Sequence, residues 1–101
     1  GGRYMVRAVS DMTTWGRERI AGGFERAARA GMGAGATGAV QEEFMTKAAR
    51  VRSGIGSMVW DRSSHRYDST RHFELDAPAR QRCEELNSAH VRRCERFGFW
   101  S

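Results

Sequence analysis

Large apolar side chains are scarce in this sequence, and that scarcity limits how it can fold. Leu, Ile, Val and Phe together number fifteen among 101 residues, below the roughly one-fifth expected of a chain that builds its own core. Thirteen Ala and twelve Gly stand alongside them, and these residues bury little apolar surface. A domain of this size already buries only a modest fraction of its surface. The composition predicts a single small domain, spanning 1–101, that is ordered by packing on partner subunits.

Apolar residues recur at three- and four-residue spacing, which predicts a mainly α-helical chain with about three helices. The first helix is predicted at about residues 4–29, and the Gly-Gly pair at 22–23 is expected to break or kink it. A glycine-rich connector follows at 30–38. The second helix is predicted at about 40–52.

The third helix is predicted at about residues 77–97. Asp76 is its expected N-cap, Pro78 suits its first turn, and Gly98 supplies a stop. Residues 53–75, between the second and third helices, are polar and largely aperiodic and carry no β-hairpin signal. They are predicted to form a long irregular or extended connection.

Arginine dominates the charge of the chain. Seventeen basic and twelve acidic residues give a formal net charge of +5, and sixteen of the bases are Arg. Arg pairs with carboxylates and phosphates in a bidentate way and stacks on aromatic rings. The expected partner is therefore an acidic protein face, anionic lipid headgroups or RNA, although a GC-rich genome would also raise the Arg content. The expected anion contacts are Arg7, Arg19, Arg92 and Arg93.

No stretch approaches the roughly 18 apolar residues that a membrane span requires, so no membrane-spanning segment is predicted. The chain begins with Gly-Gly rather than Met, which is expected of a processed mature protein or of a cleaved tag. Cys83 and Cys94 are separated by about 16 Å along a helix axis if they share one. They cannot then form a disulfide with each other, and buried free thiols are expected.

Two groups of residues could carry chemistry. His65, Asp68 and His72 lie within eight residues and could supply a general base and an acid. A small hydrolase or nuclease is therefore a second alternative, although the segment has the pattern of a polar loop. His90 and Cys94 could donate two ligands to zinc, but the short paired spacings of structural zinc sites are absent. No catalytic residue, cofactor or metal is predicted.

The leading interpretation is a non-catalytic accessory subunit of a large organellar assembly. Its arginine-rich helices would brace contacts between larger subunits, most plausibly in a respiratory or ATP synthase complex of the mitochondrial inner membrane. Large aromatic side chains dominate the binding energy of such interfaces. The expected partner contacts are Trp15, Phe24, Trp60, Leu86, Phe97 and Trp100.

The alternative interpretation is an organellar ribosomal or other RNA-binding protein. Arginines interleaved with aromatic residues can neutralise phosphates and stack on bases. Such interleaving occurs at residues 62–73, which include Tyr67, and again at 92–97. The twelve acidic residues dilute the basic field that a dedicated nucleic-acid binder usually concentrates. The two interpretations differ in whether the arginines contact phosphates or carboxylates.

Overall fold

The computed structural model describes residues 2–33, 35, 37–68 and 71–98. Three α-helices dominate it, and three short strands form a small sheet, so the prediction of a mainly α-helical chain is confirmed. The chain divides into two compact units. Unit 1 comprises residues 1–7 and 57–101, and unit 2 comprises residues 8–56. Whether the chain is a single domain ordered by partner subunits stays a prediction.

The sheet of unit 1 has the strand order β1–β2–β3. Its strands are β1 (Tyr4–Ala8), β2 (Ser57–Asp61) and β3 (Arg66–Tyr67). The first three residues of β2 are buried, because this strand lies between the other two. In the antiparallel pairing of β2 with β3, Trp60 lies opposite Tyr67.

The predicted helix at 4–29 is wrong over its first ten residues, of which 4–8 form β1. The N–H of Arg62, just after β2, donates to the carbonyl oxygen of Arg3, just before β1, at 2.9 Å. The strand is half-buried on both faces, so it lacks the strict alternation that marks a strand in a sequence, and its pairing partner lies more than fifty residues away. Local spacing therefore could not distinguish the two structures.

The prediction of an irregular segment at 53–75 is wrong where β2 and β3 form a hairpin. A carboxylate oxygen of Asp61 accepts hydrogen bonds from the backbone N–H groups of Ser63 at 2.9 Å and Ser64 at 3.3 Å. An Asp side chain that bonds to the backbone two residues later is a recognised turn signal. His65 closes the turn with a φ of 56°, in the left-handed region that non-glycine residues seldom adopt.

Helix α3 (Asp76–Phe97) packs against β2, which confirms the helix predicted at 77–97. Its buried positions are Ala79, Cys83, His90 and Cys94, a spacing that places them on one face of the helix. Both thiols are buried and free, as expected. Burial raises the pKa of the Cys83 thiol because a low-dielectric environment disfavours the thiolate.

The ends of α3 differ in how well the sequence predicted them. Gly98 adopts a φ of 70° and caps the C-terminus, as expected of a residue without a Cβ. The predicted N-cap, Asp76, is wrong because Leu75 occupies that position without a side-chain hydrogen bond. The Asp76 carboxylate instead accepts a hydrogen bond from Ser57 Oγ at 2.8 Å, which ties the start of α3 to the start of β2.

Unit 2 contains a helical hairpin, preceded by a short 3₁₀ turn at Val9–Asp11. Its helices are α1 (Thr14–Gly33) and α2 (Gly38–Arg52). They pack together through small and aromatic residues, among which the rings of Phe24 and Phe44 lie 6.3 Å apart. The buried apolar residues of the two helices are Ala21, Phe24, Ala28, Ala48 and Val51.

Helix α1 runs without interruption through Gly22 and Gly23, so the predicted break is wrong. Each glycine costs a helix about 1 kcal/mol relative to Ala, and burial of neighbours such as Phe24 outweighs that cost. The connector is shorter than the predicted 30–38 because α1 continues to Gly33. Thr37 caps α2 by accepting a hydrogen bond from the N–H of Val40, so this helix begins slightly before the predicted 40–52.

An arginine near the end of α2 joins the two helices of unit 2. Arg52 donates to Glu18 at 3.1 Å and also to Glu25 on α1. These hydrogen bonds raise the pKa of Arg52 and lower that of Glu25. The interaction fixes the α2 C-terminus against α1.

Candidate functional site

Four side chains from different parts of unit 1 meet on its sheet, and we call them the Trp60 cluster: Arg7, Trp60, His65 and Tyr67. The rings of Trp60 and Tyr67 lie 4.7 Å apart with their planes inclined by 60°. The guanidinium of Arg7 lies 5.0 Å from the centre of the Trp60 ring, and its Nη1 donates to Tyr67 Oη at 3.3 Å. The His65 ring approaches Trp60 edge-on at 6.0 Å.

Strand alternation places Trp60 on the face of β2 opposite that of Ser57 and Asp61. Ser57 and Asp61 of β2 both connect to α3, since Ser57 bonds directly to it and Asp61 does so through Arg3. Successive side chains of a strand point to opposite faces, so Trp60 does not share the face of Ser57 and Asp61. Tyr67 lies opposite Trp60 in the register and therefore shares its face.

The members of the cluster differ in exposure. Trp60 and Tyr67 are half-buried, whereas Arg7 and His65 are exposed. The two aromatic rings are therefore held by the sheet while the cationic and imidazole groups beside them remain open to solvent. Aromatic rings held in this way present a large contact area at low entropic cost.

An ion pair beside the cluster anchors the strands that carry it. Arg3 makes two hydrogen bonds to the Asp61 carboxylate, at 2.9 and 3.0 Å. This guanidinium holds the pKa of Asp61 well below its usual range, and the pKa of Arg3 is raised in turn. The bidentate geometry fixes the start of β1 against the end of β2.

The same arginine reaches the interior face of α3. Arg3 Nη1 lies 3.5 Å from His90 Nδ1, and His90 Nε2 lies 3.5 Å from Cys94 Sγ. A guanidinium can only donate hydrogen bonds, so we assign Nδ1 as the acceptor and place the ring proton on Nε2. His90 and Cys94 thus complete a hydrogen-bonded chain that begins at Asp61.

Unit 1 carries more arginine than its carboxylates neutralise. Ten Arg and seven acidic residues fall within its ranges. Arg3 pairs with Asp61, while Arg71 and Arg82 pair with Asp68. Within the described part of unit 1, the arginines that lack a carboxylate within ion-pair distance are Arg7, Arg62, Arg66, Arg80, Arg92, Arg93 and Arg96.

The predicted partner contacts lie in different environments. Trp15 is 71% exposed in the first turn of α1, with the guanidinium of Arg19 5.1 Å from its ring centre. Phe24 is buried and belongs to the packing between α1 and α2. Leu86 is half-buried on α3, and Trp100 lies outside the described residues.

Near the end of α3, Phe97 is 63% exposed and the guanidinium of Arg96 lies 5.8 Å from its ring centre. Arg92 and Arg93, two of the predicted anion contacts, are exposed on the same helix. Of the other two, Arg7 joins the Trp60 cluster and Arg19 covers Trp15. The end of α3 thus forms a basic surface beside the exposed ring of Phe97.

Of the residues named for hydrolase chemistry, His65 and Asp68 contact different partners. His65 contacts Trp60, and the Asp68 carboxylate accepts a hydrogen bond from Arg82 at 2.9 Å. His72 is buried. Asp68 therefore serves as an ion-pair partner that ties the segment after β3 to α3.

The described ranges hold neither a metal-binding cluster nor a membrane-spanning helix. Among those residues, no group of three or more His, Cys, Asp or Glu side chains is placed to hold a metal ion. The helices there contain no apolar stretch of the length needed to cross a bilayer.

The sequence identifies every residue of the Trp60 cluster as a candidate, but it does not predict that these residues contact one another. The sequence predicts that Trp60 contacts a protein partner and that Arg7 contacts an anion. It assigns Tyr67 to RNA binding in the alternative interpretation and His65 to a hydrolytic site. The signal that connects Trp60 with Tyr67 is the β2–β3 hairpin, whose Asp61 turn was overlooked. Arg7 joins Trp60 and Tyr67 because β1 pairs with β2. The sequence contains no local signal for this long-range pairing.

Comparison of the chain with protein-family models, with curated proteins and with solved structures gives no match. The functional inference therefore depends on the geometry of the chain itself.

Proposed function

We propose that this protein is a non-catalytic binding protein for single-stranded RNA, and that the Trp60 cluster receives the bases. The observation that carries the proposal is the position of Arg7, whose guanidinium lies over Trp60 and bonds to Tyr67. Proteins recognise single-stranded RNA by stacking unpaired bases on aromatic side chains and guanidinium planes. Arg7, Trp60 and Tyr67 supply both kinds of group on one face.

The charge of unit 1 supports the same ligand. The arginines without a carboxylate partner include Arg7, Arg62 and Arg66 on or beside the strands, and Arg92 and Arg93 on α3. Arginines that neutralise phosphates supply most of the affinity for a nucleic acid, and they make that affinity dependent on salt. The combination of stacking rings and unpaired guanidinium groups is typical of single-strand binding sites.

The sheet also suits this role because it holds the rings rigidly. Trp60 and Tyr67 lie opposite each other in a hydrogen-bonded pair of strands, and the bidentate pair of Arg3 with Asp61 fixes the neighbouring end of β2. Sites on regular elements position side chains more precisely than sites on loops. The rings are thus held in place before a base arrives.

Fluorescence anisotropy of a labelled oligouridine of about twelve nucleotides tests this proposal on the full chain. We expect saturable binding at low salt, with log K falling against log salt at about −0.7 per phosphate contacted. A double-stranded RNA of the same length is expected to bind more weakly because its bases are stacked and paired. Absence of binding at low salt, or equal binding of the duplex, would overturn the proposal.

An accessory subunit of a larger protein assembly is the second candidate. Leu75, Trp15 and Phe97 each expose more than 60% of their surface, and exposed aromatic and aliphatic side chains can serve as anchors at protein interfaces. If the protein is such a subunit, its arginines are expected to contact carboxylates of partner subunits. Affinity capture after chemical crosslinking would detect those partners. Its location at the mitochondrial inner membrane stays a prediction from the sequence.

A further inference from the structure

We infer that His65 hydrogen-bonds to the edge of the base that stacks on Trp60, and that the β2–β3 turn holds this histidine in a strained conformation for that purpose. This inference rests on the proposed RNA-binding function. It assigns a role to the member of the Trp60 cluster that supplies neither the stacking rings nor the guanidinium.

The backbone of His65 is held in the left-handed region from both sides. Its φ is 56°, and the other described residues with a positive φ are all glycines. The N–H of His65 donates to the carbonyl oxygen of Asp61 at 2.9 Å. The next residue, Arg66, pairs with Asp61 in the register of β2 with β3. The turn therefore imposes a left-handed conformation on residue 65, whatever its side chain.

Histidine is not the residue that such a position favours. Glycine reaches a positive φ at no steric cost because it has no Cβ. Strained backbone persists where the surrounding structure imposes it, and it clusters at ligand-binding sites. The turn would form with less strain if residue 65 were glycine, so the imidazole is not needed for the turn itself.

The side chain of His65 is available to a ligand. It is exposed, and its ring lies 6.0 Å from the ring of Trp60. Within the described part of the chain, neither imidazole nitrogen has a hydrogen-bond partner. A neutral imidazole carries one N–H donor and one acceptor nitrogen, and both remain open beside the stacking ring.

The inclination of the two rings determines which part of a base His65 meets. The imidazole plane is inclined by 68° to the indole of Trp60. A base that stacks on Trp60 lies nearly parallel to the indole, so it lies across the imidazole plane and cannot stack on that ring as well. The imidazole instead meets the edge of the base, which carries unpaired hydrogen-bonding groups in single-stranded RNA.

Substitutions in the turn of the full chain test this role with the labelled oligouridine. His65→Gly is expected to weaken binding about three- to tenfold, as for the loss of one hydrogen bond. The same variant is expected to raise the Tm by about 2 to 5 °C, because glycine relieves the strain. His65→Ala keeps the Cβ, so it should lose the same affinity but have a lower Tm than His65→Gly. Ser63→Gly, at an exposed position in the same turn, is the control and should bind like the unaltered chain.

The salt dependence of binding separates a base contact from a phosphate contact. If His65 contacts the base, the slope of log K against log salt is expected to be the same for the unaltered chain and for His65→Gly. Loss of one phosphate contact would instead make the slope shallower by about 0.7.

The possible failures of this inference and of the RNA-binding proposal are distinct. Equal affinities of the unaltered chain and His65→Gly, both folded by circular dichroism, would overturn this inference alone. A shallower salt slope for His65→Gly would assign the imidazole to a phosphate, and a lowered Tm would assign it to the fold. Either result would contradict the role inferred for His65. Absence of oligouridine binding by the unaltered chain would overturn both proposals.

Discussion

The guanidinium of Arg7 lies 5.0 Å from the centre of the Trp60 ring, although 53 positions separate the two residues in the sequence. Arg19 lies at a closely similar 5.1 Å from Trp15, but these two residues are four positions apart on one helix. The first pair depends on tertiary structure and belongs to a cluster with Tyr67. The second pair forms from local helix geometry alone. The described residues thus include two arginine–tryptophan pairs, of which one is built into a larger site.

Because of the Arg3–Asp61 ion pair, the free energy of unfolding is expected to depend on pH in the acidic range. The Asp61 side chain is only 13% exposed, so Asp61→Asn is expected to lower the free energy of unfolding by about 2 kcal/mol at pH 7. The pKa of Asp61 is lower in the folded chain than in the unfolded one. Its contribution is therefore complete above the unfolded pKa, near pH 4, and is lost as the pH falls through the folded pKa.

Urea denaturation at pH 7 and at a series of lower pH values measures this contribution. The difference in stability between the unaltered chain and Asp61→Asn is expected to narrow as the pH falls below about 4. Asp11→Asn, at an exposed position, provides the control and should leave stability unchanged. A gap that stays constant with pH would show that Asp61 contributes through packing and not through its charge.

The interior of the helical hairpin is expected to depend on Phe24. Replacement of this buried ring with Ala leaves a cavity between α1 and α2, and such changes cost about 3 to 5 kcal/mol. Phe97→Ala removes the same ring from a position that is 63% exposed and is expected to cost little. Thermal unfolding monitored by circular dichroism compares the stabilities of the Phe24→Ala and Phe97→Ala variants. Equal losses of stability would contradict the burial of Phe24.

The two cysteines are expected to react slowly with thiol reagents in the folded protein. Cys83 and Cys94 are both buried, and the pKa of Cys83 is raised by burial, which lowers its thiolate fraction near neutral pH. Labelling with a chromogenic disulfide at pH 8 should therefore be slow in buffer and fast in urea, with both thiols titrated once the chain unfolds. Rapid native labelling would mean that α3 opens readily from the sheet.

Arg52 is expected to join the helices of unit 2 through a salt-sensitive interaction. Arg52→Gln removes the charged partner of Glu18 and Glu25 and is expected to lower the Tm. Because Arg52 is partly exposed, the loss is expected to be modest and to shrink at 1 M NaCl, where surface charges are screened. A loss of Tm that is independent of salt would indicate that the aliphatic part of Arg52 matters more than its charge.

Local patterns predicted the helices of this chain better than its strands. The α2 and α3 segments follow from the spacing of their apolar residues, and the end of α3 follows from Gly98. The β1 strand at 4–8 could not be distinguished from a helix, because its identity depends on pairing with residues around 57–61. Likewise, α1 continues through Gly22 and Gly23 because the burial of Phe24 stabilises the helix.

The sequence predicts the individual residues of the candidate site but not that they come together. Arg7, Trp60 and Tyr67 were each identified as binding residues by their chemistry, since arginine and aromatic side chains suit anions and bases. Their convergence depends on the register that places Trp60 opposite Tyr67 and on the order of the strands. Neither follows from composition or from spacing along the chain.

A matched pair of tryptophan variants tests the central claim most directly. Trp60→Leu and Trp15→Leu each remove one tryptophan that lies beneath an arginine, and only the first disturbs the Trp60 cluster. In anisotropy titrations with labelled oligouridine, we expect Trp60→Leu to weaken binding about tenfold, in line with about 1 to 3 kcal/mol per stacked base. Trp15→Leu should bind like the unaltered chain, and Trp60→Phe should recover part of the affinity. Equal affinities for the Trp60→Leu and Trp15→Leu variants, with both folded by circular dichroism, would contradict the proposal that the Trp60 cluster receives the bases.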